Sequence, residues 1–203
     1  MTLDVKISKK LIPYKSAFKF LKKRVDSLKK ENGKELLWLL EHPLTFTGGI
    51  RSKKSEIIDK KIKIIQTNRG GKITLHNPGQ KIIYLALNLN KRKKDIRNLI
   101  KQIEKSIIEF LKLYNIKGYA DKENVGVWVG DKKIAAIGIR VTQWIAYHGC
   151  SININNNLKY YKKIVPCGLS NNRITSINNE SKKKITNVEK KLIEIFKRNL
   201  KNI

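Results

Sequence analysis

Cysteine is scarce: Cys150 and Cys167 are the only two among 203 residues. Two thiols cannot build the disulfide framework of a small secreted domain, so a reducing compartment is expected. Long apolar runs are missing as well, and nothing approaches the roughly 20 residues that a bilayer crossing needs. The opening stretch MTLDVKISKKLIPYKSAF has no apolar h-region ending in a cleavage site, and it lacks the arginines of a mitochondrial presequence. CxxC pairs, HExxH and other zinc spacings are absent, as are the P-loop and the Rossmann glycine fingerprint. These gaps predict a soluble cytoplasmic protein that uses no membrane, no metal and neither common nucleotide-binding loop.

Acidic residues are also few, 16 against 45 basic ones, for a net charge of +29. Such an excess ordinarily points to nucleic acid or another anionic partner. Within it, however, eight arginines stand against 37 lysines spread along the whole chain. Recognition of bases and phosphates favours the planar arginine fork. Lysine, asparagine and isoleucine also share A/T-rich codons. A solvated basic surface from compositional bias is therefore the first reading, an acidic protein partner the second and nucleic acid the third.

At 203 residues and 40% hydrophobic content the chain suits one large domain with a real core. No repeat or Pro/Gly/Ser linker divides it. Weak alternation over 3–8 predicts a strand, and Ala17, Leu21, Val25 and Leu28 predict an amphipathic helix over 14–30. Strands are expected at 35–42, 62–66 and 81–89, followed by the clearest helix, over 94–113. Gly130-Asp131-Lys132 marks a hairpin between 125–129 and 133–141, and a further strand is expected at 147–155. The Asn/Lys-rich stretch 170–187 reads as a polar loop, and Thr186 with Glu189 suggests a capping box for a last helix at 187–200. The fold class expected is α/β (α+β), a single domain over 1–203.

Three clusters hold residues able to do chemistry. Paired glycines in Arg69-Gly70-Gly71-Lys72-Ile73-Thr74-Leu75-His76 let a ligand approach bare backbone N–H groups, with Asn77-Pro78-Gly79-Gln80 turning the chain behind them. Taken alone, that stretch is equally an ordinary loop–strand–turn. In a regular strand Lys133 shares a face with Ala135, Ile137, Ile139 and Val141, which desolvates it and suits it to proton transfer. The plain alternative is a lysine snorkelling at a strand end. Cys167 sits between Pro166 and Gly168, on a tight turn where a nearby cation would make its thiol nucleophilic. Buried lone cysteines are commoner, and Cys150 on its strand fits that description better. His42, His76 and His148 complete the candidates.

In order and spacing these segments resemble the lipoyl(octanoyl) transferases. The resemblance rests on EHPLTFTGG (41–49), NRGGKITLHNPGQKIIYLALNL (68–89), GVWVGDKKIAAIGIRVTQWIAYHGCSININ (126–155), IVPCGL (164–169) and ITS (174–176). It covers nearly the whole chain, whose leading VKISKKLIPYKSAF falls where the family's mature N-terminus begins, so no transit peptide is expected. The resemblance implies the catalytic fold shared with biotin and lipoate protein ligases, a mixed sheet flanked by helices. It implies an acyltransferase that moves an octanoyl or lipoyl group from acyl carrier protein to a lysine of a lipoyl domain, the first step of protein lipoylation. Cys167 would carry the acyl group as a thioester, and Lys133 would lower the thiol's pKa and shuttle protons. Arg69 to His76, Ala136, Ile137 and Gly138, and Gly149, Cys150 and Ser151 would bind substrate. The donor thioester is already activated, so neither ATP nor metal is implied.

The implied partners are acyl carrier protein, lipoyl domains of 2-oxoacid dehydrogenase complexes and the glycine cleavage H protein, with no nucleic acid or membrane. Two readings compete: an ATP-dependent lipoate ligase on the same fold, which needs no thiol, and a non-enzymatic nucleic-acid binder. The sequence departs from the family pattern at Asn77 and at Gly48-Gly49-Ile50, changes expected to reshape the acyl pocket. Cys150 after His148-Gly149 adds a second thiol near the site.

Overall fold

The computed structural model describes residues 3–121, 123–166 and 173–203. Strands β1 (Leu3–Ile7) and β2 (Glu35–Leu40) pair in parallel, joined by helix α1 (Tyr14–Lys29). A parallel pair needs such a crossover. The apolar stripe of α1 explains where the helix lies, since Ala17, Leu21, Val25 and Leu28 are buried in one cluster with Leu36, Trp38 and Leu40 of β2.

Five more strands complete the main sheet: β6 (Gln80–Asn88), β7 (Tyr119–Ala120), β8 (Gly126–Val129), β9 (Lys132–Thr142) and β10 (Ile145–Asn153). Its order is β1-β2-β6-β10-β9-β8-β7, antiparallel everywhere except at β1–β2. Every residue of β2, β6 and β10 is buried, as expected of central strands covered on both faces. Helices α2 (Ile96–Lys112) and α4 (Val188–Asn199) cover one face, where Leu99, Ile103, Ile107 and Phe110 meet Leu192, Phe196 and the strand residues Ile83, Leu85 and Ile152. The other face carries α1 and a small second sheet of β3 (Thr45–Gly48), β4 (Ile64–Gln66) and β5 (Ile73–His76), ordered β4-β3-β5. No helix among the described residues is long and apolar enough to cross a membrane.

The expected helices and main-sheet strands are present within a few residues of their predicted bounds. The small sheet is the larger surprise, because β3 and β5 have four residues each and lie among glycines and prolines that read as loop. The stretch expected as polar loop contains a one-turn helix, α3 (Ile177–Glu180), and its residues 170–172 lie outside the described residues. The capping box of α4 does not form. Asn187 occupies the N-cap with φ 53°, and the Glu189 carboxylate instead accepts from Lys81 Nζ at 2.6 Å. The reason is energetic, since the nearly buried Lys81 ammonium needs counter-charge and takes it from both Glu189 and Glu41.

Phe110 lies fully buried between α2 and the sheet. Phe110→Ala should cost about 3–5 kcal/mol, read as a lower urea midpoint with an unchanged m-value.

Candidate functional site

A cavity of about 260 Å³ lies between the two sheets. Its floor is set by glycine. His148 has φ 70° and Gly149 φ 157°, and a Cβ on Gly149 would collide with the Ile83 carbonyl of the neighbouring strand. The left-handed turn at His148 also overrides strand alternation. Its ring lies on the α1 face beside Tyr147, at 4.9 Å between centroids, and stacks on Phe18 at 5.6 Å.

The roof is the loop after β4. Gly70 N donates to Ile139 O at 3.3 Å, and a Cβ at position 70 would stand 2.9 Å from that same oxygen, so only glycine lets the loop lie on β9. The Arg69 guanidinium braces this arrangement by donating from Nη2 to Thr47 O and Thr47 Oγ1 and from Nη1 to Gly70 O, each at 2.9 Å. Arg69, Gly71, Lys72, Thr74 and His76 face the cavity. Ile73 and Leu75 point the other way, into a cluster with Phe46, Tyr161 and Ile164, as the period of two along β5 requires.

Lys133 reaches the cavity for a reason that simple alternation misses. The β8–β9 register pairs Val127 with Ala135 but Trp128 with Lys133, so Ile134 is an extra, bulged residue. Ile134 and Ala135 therefore both enter the core, while Lys133 is shifted onto the face of Ala136 and Gly138. The expectation that Lys133 shares a face with Ala135, Ile137 and Ile139 is corrected accordingly. Its side chain is buried, with Nζ 5.3 Å from the Trp128 ring centroid, whereas Lys132 is exposed.

Cys167 and Gly168 lie outside the described residues. The chain on either side of them converges on Lys133. Pro166 and Ile174 line one small cleft with it, Lys133 N donates to Arg173 O at 2.8 Å, and Thr175 N donates to Lys133 O at 3.0 Å. Beneath these flanks runs a buried amide network. Gln80 Nε2 donates to Asn153 Oδ1 (2.9 Å) and Tyr161 Oη (3.1 Å), and Asn153 Nδ2 donates to Thr175 O (2.9 Å). The remaining acceptor of Gln80, Oε1, is 2.8 Å from His76 Nδ1, which makes that nitrogen the N–H donor.

The departures from the family pattern act outside the cavity. Asn77 joins the amide network through Asn156 and Asn157. Gly49 packs beneath Gly71 and Arg69, where a Cβ would overlap the Gly71 carbonyl. Cys150 borders the cavity but belongs to the core cluster with Ile83 and Ile152, and burial pushes its thiol pKa upward. It is a protonated core thiol.

Tyr14 and Tyr84 also line the cavity from outside the predicted clusters, together with the candidate His148. The strand register alone brings Tyr84 opposite Gly149, and no local signal announces it. At this end the histidines are neutral, and the Arg69 guanidinium is the cation that acts on them. Burial pushes His76 and His148 down to about 3, lowers His42, and holds the Tyr84 hydroxyl well above its ordinary value.

The fold is that of the lipoate-protein ligases. Lipoate-protein ligase A bound with ATP superimposes with a TM-score of 0.75 over 98% of this chain and 86% of that one, at 14% identity. The chain itself belongs to the lipoyl protein ligase A/B catalytic domain family, whose profile matches residues 13–197. Among its relatives, the octanoyltransferase of Wolbachia sp. subsp. Brugia malayi (strain TRS) is 45% identical over 176 residues, covering 84% of this chain and 86% of the relative. The octanoyltransferase of Bartonella tribocorum (strain CIP 105476 / IBS 506) is 42% identical over 191 residues, covering 87% and 78%.

The histidine environment fixes a pH response. His76 and His148 stay neutral in the fold until about pH 3, but in the unfolded chain they take up protons near 6.5. The unfolded state therefore binds more protons in that window, and stability must fall as pH drops through it. Urea midpoints should decline from pH 6.5 to 5, with each histidine contributing up to about 1.4 kcal/mol per pH unit. His148→Gln, which cannot protonate, should flatten the slope.

Proposed function

We propose that this chain is an octanoyltransferase working through a cysteine thioester. It is an acyltransferase that transfers octanoyl groups in protein lipoylation, the activity named for relatives that span 84–87% of it at 40–45% identity. Cys167 attacks the thioester carbonyl of an octanoyl group on acyl carrier protein. The new C–S bond forms, the carrier thiol departs, and it takes up the proton that Cys167 gave up. The ε-amine of a lipoyl-domain lysine then attacks the acyl-enzyme, a C–N bond replaces the C–S bond, and the amine's proton returns to Cys167. No ATP enters this balance, because the thioester is already activated.

The observation that carries this reading is the placement of Lys133. A buried lysine stands beside Pro166, the residue preceding Cys167, at one end of a cavity whose other end is walled by neutral histidines and tyrosines beside the braced Arg69 guanidinium. A cation there would favour the thiolate and serve as the proton carrier. The ring-lined wall suits an alkyl chain, each methylene of which gains about 0.8 kcal/mol on leaving water. The acyl acceptors would be lipoyl domains of 2-oxoacid dehydrogenase complexes and the glycine cleavage H protein, met in the cytoplasm. Both kinds of partner are acidic, to which a net charge of +29 is complementary.

Intact-protein mass spectrometry after mixing with octanoyl-acyl carrier protein, without ATP, should show one octanoyl adduct on the wild type and on Cys150→Ser, and none on Cys167→Ser. Lys133→Ala should slow adduct formation about 10²–10⁴-fold, while Lys132→Ala stays near wild type. Transfer that appears only with free octanoate and ATP would instead identify a ligase.

A further inference from the structure

The far end of the cavity is closed by a run of near-parallel rings. Tyr147 stacks on His148, His148 on Phe18, Phe18 on Tyr14 and Tyr14 on His76, with interplanar angles of 22°, 8°, 14° and 10°. Tyr14 is 4% exposed and sits between the cavity-facing His76 and Phe18 on the outer side. Beyond it, between α1 and β4, runs a second groove of about 330 Å³. Among the described residues Tyr14 is the only one lining both spaces. Phe18, Ile65 and the stems of Lys15, Lys19 and Lys22 line the groove, an apolar channel with cationic tips.

The strand register locates this partition relative to the reacting end. The pairs Ala135–Ile152, next to Lys133, and Ile139–His148 are four strand steps apart, about 13 Å. An acyl chain anchored near Lys133 and laid along β10 would therefore run toward Tyr14.

We propose that Tyr14 determines the acyl-chain length this protein accepts. Its ring is the end wall of the acyl cavity, and its removal joins the cavity to the α1/β4 groove, where further methylenes find cover. This rests on the acyl-transfer reading and adds to it the residue that selects among acyl substrates. Each methylene taken out of water multiplies affinity about four-fold, so the four that separate dodecanoate from octanoate set a ceiling on the order of 10²-fold.

The test measures calorimetric binding of free octanoate and dodecanoate, together with transfer from the two acyl thioesters. Wild type should prefer the shorter chain. Tyr14→Leu should shift the dodecanoate-to-octanoate ratio at least ten-fold toward the longer chain, in binding and in transfer, whereas Tyr14→Phe, which keeps the ring, should stay within about two-fold of wild type. Tyr14→Met, flexible enough to fill the gap and yet move aside, carries the comparison if Tyr14→Leu loses cooperative unfolding. An unchanged ratio in the folded variants overturns the proposal, as does an equal shift in Tyr14→Phe. Wild type that neither binds these acids nor transfers either chain overturns the acyl-transfer reading itself.

Discussion

The contact on which the site depends is the close approach of β10 to β6 at Gly149. The Ile83 carbonyl occupies the space that any side chain at position 149 would need, so the strand passes that point bare. The left-handed residue before it throws the His148 ring onto the α1 face. One backbone irregularity thus opens the cavity floor and supplies one ring of the aromatic wall. Without it, alternation would send His148 toward α2 and leave Phe18 with no ring on the side away from Tyr14. The same economy appears across the cavity, where Gly70 lies directly on β9 and Arg69 holds it down through Thr47.

Around Lys133 the structure relies on amides instead of ions. Gln80 and Asn153 link the central strands to Tyr161 on one side and Thr175 on the other, the two flanks of the Cys167 segment. The side-chain polar atoms of Gln80 and Asn153 are all paired, which makes this part of the network rigid. It therefore suits a place where two chain segments must arrive at fixed positions beside Lys133. Asn77 adds to this network through Asn156 and Asn157.

How much of this was legible in the sequence follows from the range of the forces involved. Helix α2 could be read from Leu99, Ile103, Ile107 and Phe110 because its periodicity is local, and β2, β6, β9 and β10 because their apolar runs are long, whereas the two-residue edge strand β7 gave no signal. The strands β3 and β5 could not, since four residues between glycines carry too little pattern. The site motifs pointed to the right loop but not to the direction of each side chain. Ile73 and Leu75 face the core, and Lys133 reaches the cavity only through a bulge at Ile134 that no spacing rule contains. Tyr14, Tyr84 and His148 meet through strand register and ring stacking over long sequence separations, and such encounters leave no mark in a local window.

The three histidines have a consequence for how the molecule behaves in solution. His42, His76 and His148 are all buried with lowered affinity for protons, and His76 and His148, at about 3, stay neutral at any ordinary working pH. The large positive charge consequently varies less with pH than three exposed histidines would make it vary. Attraction to an anionic surface would then be tuned by ionic strength, through screening over about 10 Å at 0.1 M salt, while mild acidification would change it less than three exposed histidines would.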